Sequence, residues 1–243
     1  MKKIEVKNLE TLPYGPEEAL NRLRVNLNFC GDSYKKIMIT SSIPDEGKSF
    51  VSANLWRMLA ESGKNTVLVD ADLRKSVFRS RYDICSSEAN APGLSYYLSG
   101  QADMKDIVYE TNIPHAYLAP VFHTVDNPAV LLQTPRFGEL LDYYVKCFDY
   151  VLIDTPPLGA VADGEQVAAL SDGAILVVRG GFTPRSMVSS SIKLLERTEC
   201  QLLGVVMNRV EMNHGKYYGK YGRYGKYGYY NSAYRYYGSN EKD

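Results

Sequence analysis

Apolar positions along this chain fall into two periods that take turns. Short uninterrupted runs occur at residues 35–40, 66–70 (T-V-L-V-D), 116–119, 150–154 (Y-V-L-I-D), 174–178 and 202–207. A continuous apolar run too short for a helix predicts a strand buried on both faces. Between them the spacing becomes helical. Residues 16–28 place Leu20, Leu23 and Leu27 on one face, with Pro16 and two glutamates suited to the first turn. Further helices are expected over 48–61, with Gly63 as the stop, 94–98, 102–110, 130–148, 164–170 and 184–197. Residues 74–93 lack either period and predict a loop or excursion. Strands alternating with helices give an α/β fold, a mainly parallel β-sheet with helices on both faces. Ligands of such sheets bind outside the carboxyl ends of the strands.

That reading ends at His214. Beyond it the chain is tyrosine, glycine and basic residues with no aliphatic side chain past Ala233, and it holds ten of the twenty tyrosines. Such a segment cannot bury enough apolar surface to order itself. The expected division is a domain over 1–211 and a flexible, disordered tyrosine-rich tail over 212–243. The formal net charge is zero, which offers no field argument for nucleic acid or membrane. The tail is nevertheless basic, with Lys216, Lys220, Arg223, Lys226 and Arg235 and no acid between Met212 and Asn240. Cys30, Cys85, Cys147 and Cys200 are scattered without a C-x-x-C pair, as expected of core filler in a reduced, cytosolic chain. No run approaches the roughly 20 apolar residues that a bilayer requires. The expectation is a soluble protein that reaches a membrane only through a partner.

Three strand ends carry candidate chemistry. Residues 40–50 read T-S-S-I-P-D-E-G-K-S-F, between an apolar run and a helical pattern. This is the layout of a phosphate-binding loop, with Ser42 where the G-x-x-x-x-G-K-[ST] pattern has its first glycine. Backbone N–H groups of the turn, at Ser42, Asp45, Glu46 and Gly47 around Pro44, and of the new helix as far as Phe50 would surround a polyphosphate, which Gly47 approaches without a Cβ. Lys48 would reach the terminal phosphates, and the Ser49 hydroxyl would ligate Mg²⁺. The second strand end carries Asp70 and Asp72, and the third Asp154. Acids at strand ends also cap helices, but three such signals in this order converge on one site. Asp163 opens a helical pattern and reads as a cap. Trp56 reads as core, and His115, His123 and His214 as separate surface or loop residues. Arg74, Arg179 and Arg185 could each approach a phosphate or a partner.

These motifs resemble those of the bacterial protein-tyrosine kinases that control capsule and exopolysaccharide synthesis, P-loop NTPases of the MinD-like superfamily. The resemblance rests on S-x-x-P-x-E-G-K-S, D-x-D-x-R (70–74) and D-x-P-P (154–157). It continues through G-L-S-Y-Y-L-S-G (93–100), N-P-A-V-L-L (127–132), G-V-V-M-N-R (204–209) and the terminal tyrosines. It implies ATP and Mg²⁺, with Lys48 on the β- and γ-phosphates, Ser49, Asp70 and Asp154 at the metal, Asp70 or Asp72 as base, and Asn208 with Arg209 near the adenine. It implies that Tyr217, Tyr218, Tyr221, Tyr224, Tyr227, Tyr229, Tyr230, Tyr234, Tyr236 and Tyr237 accept phosphate from a neighbouring subunit. A tail of this length spans roughly 30 Å, enough for that reach.

The family's E-x-x-R-x-x-R motif for ring-shaped homo-oligomers is matched at Glu18 and Arg24, with Asn21 replacing the middle arginine and Arg22 beside it. The same resemblance implies a split system: a membrane-spanning activator protein, a cytoplasmic chain peripheral to the inner face of the membrane, protein tyrosine substrates, a cognate phosphotyrosine phosphatase and no nucleic acid. Two other readings compete. A MinD/ParA-type positioning ATPase would carry a lysine near the start of the loop, where this chain has Ile43, and would lack the tyrosine tail. A tail that binds RNA or self-associates would use tyrosine stacking and basic contacts to phosphate.

Overall fold

The computed structural model describes residues 1–9, 11–86, 88, 90–123, 125 and 128–210. Asn127 and the ten candidate phosphoacceptor tyrosines lie outside the described residues. Its elements are β1 (Lys2–Glu5), α1 (Tyr14–Phe29), β2 (Lys36–Ser41), α2 (Lys48–Glu61), β3 (Thr66–Asp70), α3 (Phe78–Arg81), β4 (Cys85–Ser86), α4 (Leu94–Leu98), β5 (Tyr109–Glu110), β6 (Ala116–Ala119), α5 (Pro128–Leu132), α6 (Pro135–Cys147), β7 (Tyr150–Asp154), α7 (Asp163–Ala168), β8 (Gly173–Arg179), α8 (Arg185–Arg197) and β9 (Gln201–Asn208).

The strands form one sheet in the order β4-β1-β5-β6-β3-β7-β2-β8-β9. The run from β6 to β9 is parallel throughout, while β5 pairs antiparallel with β6 and β4 antiparallel with β1. The continuous apolar runs have their physical reason here, because successive side chains point to opposite faces and both faces are covered. Val67 and Val69 of β3 enter one core with Leu140, Leu141 and Tyr144 of α6. Leu68 enters the other with Leu55, Trp56 and Leu59 of α2. Trp56 is buried, and its indole N–H donates to the Thr66 carbonyl at 3.1 Å. Arg57, on the same helix, clamps α1 by pairing with Glu17 at 2.8 Å while also holding Glu61 at 3.0 Å.

Four expectations need correction. The single helix expected over 130–148 is two, because Thr134 is extended ahead of Pro135, whose ring lacks an N–H and restrains the preceding residue. Residues 102–110 are not a helix. They form turns and then β5, because Ile107, Val108 and Tyr109 are a continuous buried run instead of a helical stripe. Residues ahead of the first expected helix, to which the apolar pattern assigns no element, contain β1, whose Ile4 is buried. Of the cysteines only Cys200 is core; Cys85 and Cys147 are exposed and Cys30 half-buried. Among the described residues no helix is long and apolar enough to cross a membrane.

Candidate nucleotide site

Because β7 lies between β3 and β2, the carboxyl ends of three adjacent parallel strands meet. Asp70 and Asp154 end in register on β3 and β7, and β2 runs straight into the phosphate loop. The turn reaches α2 through Gly47, whose φ of 92° is in the left-handed region. A Cβ there would stand 2.1 Å from the Asn208 amide nitrogen, so glycine is required on two counts.

The side chains expected at the site come together. Lys48 Nζ lies 3.1 Å from Asp72 and 3.6 Å from Asp154. The Ser49 hydroxyl donates to one Asp154 oxygen at 2.8 Å. The Ser52 hydroxyl donates to the other at 2.7 Å. Burial alone would lower the Lys48 pKa, but the Asp154 and Asp72 carboxylates outweigh it and hold the ammonium above its ordinary value. Burial raises Asp154, against the pull of Lys48 and the two serines. Asp70 is pushed up to about 8, chiefly by complete burial and further by the Asp154 and Asp72 charges, with the Ser76 hydroxyl opposing. It therefore holds its proton at neutral pH.

Glu46 departs from its expected place among the nucleotide contacts. Only 1% exposed, it turns inward and accepts from Ser42 N at 2.6 Å, Ile43 N at 2.9 Å, Arg179 N at 3.1 Å and the Thr183 hydroxyl. The first two loop N–H groups are thus committed to a carboxylate. Among the described residues those of Asp45, Glu46 and Gly47 have no protein acceptor and remain open to an anion. Asn208 is also occupied: its amide nitrogen donates to the Glu46 carbonyl at 2.9 Å and its oxygen accepts from Arg209 N at 2.9 Å.

A cleft of about 280 Å³ over the loop is lined by Pro44, Asp45, Gly47, Lys48, Ser49 and Asp72, with Arg74, Arg81 and Arg209 at its sides. A larger groove adjoins it at Gly47, Arg81 and Arg209, with Phe50 and Asn208 in its wall. Arg81, Tyr82, Ser52 and Ser76 were not foreseen. Ser52 could have been found, since it lies three residues after Ser49 on one helix face; nothing in residues 74–93 marks the other three. Asp163 is not a cap. It begins α7 buried, paired with Arg74 at 2.6 Å, which explains both an acid at that position and where Arg74 goes.

Glu18 and Arg22 pair at 3.1 Å on α1, and Arg24 donates to the Asn21 side chain at 2.8 Å. These residues are far from the strand ends that carry the loop and bear no part in its geometry.

The site suits both expected groups. Ser49, Asp70 and Asp154 are hard oxygen donors, as Mg²⁺ requires, and Asp70 Oδ1 is buried with no hydrogen-bond partner. Among the described residues no set of three His, Cys, Asp or Glu side chains could hold a metal ion by themselves.

Residues 37–221 match the family model of the CobQ/CobB/MinD/ParA nucleotide binding domain. The chain is 38% identical over 209 residues to Tyrosine-protein kinase CpsD of Streptococcus agalactiae, covering 84% of this chain and 90% of that one. It is 33% identical to Tyrosine-protein kinase YwqD of Bacillus subtilis, covering 83% and 84%. Among solved structures, the kinase domain of Escherichia coli tyrosine kinase ETK superposes with a TM-score of 0.73 at 29% identity, over 82% of this chain and 79% of that one. The septum site-determining protein MinD of Pyrococcus horikoshii, complexed with Mg-ADP, shares the fold at a TM-score of 0.62 and 23% identity, over 72% of this chain and 71% of that one. With a phosphate loop, two acid-tipped neighbouring strands and relatives of this kind along most of its length, the chain belongs to the CobQ/CobB/MinD/ParA nucleotide-binding family and, within it, to the bacterial tyrosine-protein kinases.

Proposed function

We propose that this protein transfers the γ-phosphoryl group of ATP to tyrosine hydroxyls, first of all to the tyrosine cluster over 217–237 of a neighbouring copy. The observation that carries this reading is that Lys48, Ser49 and Asp72 line one cleft, with Asp154 buried behind them and bound to Lys48 and Ser49. Lys48 and the free N–H groups of the loop bind and align the β- and γ-phosphates. Ser49, Asp154 and Asp70 would hold Mg²⁺, which supplies neutralising charge to the phosphates when bound.

Of the two candidate bases, Asp72 suits the role better. It lines the cleft, whereas Asp70 is fully buried and does not reach it. An ordinary tyrosine has a pKa of about 10, so the phenolic proton passes to Asp72 as the oxygen attacks, not before. The oxygen–phosphorus bond forms as the bond to the ADP oxygen breaks, and the products are ADP and phosphotyrosine.

The same reading carries a homo-oligomer formed through Glu18, Arg22 and Arg24, and a membrane-spanning activator that brings the chain to the inner face of the membrane. It also carries a phosphatase that resets the tail and control of capsular or exopolysaccharide synthesis. The names of the relatives support the kinase class; these settings extend it.

The test is direct. Full-length protein incubated with Mg²⁺-ATP gains phosphotyrosine on its tail, and Lys48→Met abolishes the gain. ATP hydrolysis without any phosphotyrosine would favour a positioning ATPase instead, and tight, steeply salt-dependent RNA binding would favour the tail as a nucleic-acid element.

A further inference from the structure

Next to the phosphate cleft lies a groove of about 430 Å³, walled by Leu9 and Leu12 from the segment before α1, Phe50 from α2 and Tyr82 after α3. Its two sides are tied together, since Lys7 N and Asn8 N donate to the Tyr82 carbonyl and the Tyr82 hydroxyl donates to the Ser49 carbonyl at 3.3 Å. The groove meets the loop at Gly47 and has apolar and aromatic walls suited to a purine.

Asn208, expected to read the base, has both ends of its amide engaged by the Glu46 carbonyl and Arg209 N. Another amide is available in the same groove. Asn54 is 1% exposed, and its nitrogen donates to the Phe50 carbonyl at 2.9 Å. Its oxygen is buried with no partner among the described residues. A buried acceptor left unpaired costs stability unless a ligand completes it. With its nitrogen fixed on the helix backbone, the amide presents an acceptor only.

Resting on the nucleotide reading above, we infer that Asn54 Oδ1 is the adenine-specificity determinant of this site, accepting a hydrogen bond from the exocyclic amine of the purine. Adenine offers that donor at its six position. Guanine places a carbonyl oxygen there, which would face the Asn54 oxygen acceptor to acceptor. Asn208, in this account, locks the loop and leaves the discrimination to Asn54.

The experiment compares ADP, GDP and purine riboside diphosphate, which differs from ADP only by lacking the amine, by calorimetric titration of the full-length protein with Mg²⁺. Wild type binds ADP about tenfold more tightly than the amine-free analogue, and GDP more weakly still. In Asn54→Leu the preference for ADP over the analogue falls to about one, while affinity for the analogue stays within about twofold. Equal affinity of wild type for ADP and the analogue overturns the inference without any variant, so a misfolded Asn54→Leu cannot shelter it. An undiminished ADP preference in Asn54→Leu overturns it too, leaving the kinase reading intact. Failure of wild type to bind any of the three removes the nucleotide reading and this inference together.

Discussion

Asp70 and Asp154 stand opposite one another at the ends of β3 and β7, two fully buried carboxylates in register. One proton in this pair follows from Asp70 being pushed up to about 8, first by burial. In the unfolded chain the same group ionises near pH 4. Between those values the unfolded state has lost a proton that the folded state retains, so stability falls as pH rises, and the loss ends above about 8 where both states are ionised. With EDTA and no nucleotide, the Tm of wild type is expected to decline from about pH 5 to about pH 8 more steeply than that of Asp70→Asn, which has no proton to lose. Parallel profiles for the two proteins would show that Asp70 is already ionised.

The Lys48 ammonium answers both Asp72 and Asp154. Removing a buried charge strands its partners, so Lys48→Met should destabilise the protein by about 3 kcal/mol besides abolishing phosphate binding. Adding Asp72→Asn to Lys48→Met removes one stranded carboxylate and should return about 1–2 kcal/mol in urea unfolding. Strict additivity of the two substitutions would mean that the pair carries no coupling.

The architecture and the three acid or phosphate strand ends were legible because they depend on local pattern: a strand covered on both faces must be a continuous apolar run, and Asp70 and Asp154 sit at the ends of such runs. What escaped depends on pairing across the fold. β1 and β5 are strands through pairing across the fold, β1 with β4 and β5, and β5 with β1 and β6. Arg74 and Asp163 are 89 positions apart, and no local signal tells a cap from a buried ion pair. Glu46 sits in a motif where neighbouring residues face the phosphates, and only the β8 to α8 turn arriving beside it shows that its side chain faces the other way.

Gly47 tests the loop geometry itself. A side chain at φ of 92° costs about 1–2 kcal/mol, and its Cβ would displace the Asn208 amide from the Glu46 carbonyl at a cost of about another 1 kcal/mol. Gly47→Ala should therefore lose about 2–3 kcal/mol and most nucleotide affinity. Trimming the neighbour in Gly47→Ala/Asn208→Ala relieves the contact but not the backbone strain, so the double variant stays well below Asn208→Ala alone in urea unfolding. Equal stability of those two would mean the backbone at this position relaxes freely.

The Glu46 carboxylate binds the loop at Ser42 N and Ile43 N and the β8 to α8 turn at Arg179 N and the Thr183 hydroxyl. All four groups donate, so only a side chain with two acceptor oxygens satisfies them. Glu46→Gln keeps the shape but points an amide N–H₂ at two donors, and should cost nearly as much as Glu46→Ala, about 3 kcal/mol. Thr183→Val removes a single donor and should cost about 1 kcal/mol with its effect on ATP affinity correspondingly small. If the inward carboxylate fixes the loop for phosphate, ATP affinity measured by titration falls in the order wild type, Thr183→Val, then the two Glu46 variants together. A Glu46→Gln protein with wild-type stability and affinity would mean that the loop keeps its shape through Gly47 and Asn208 alone.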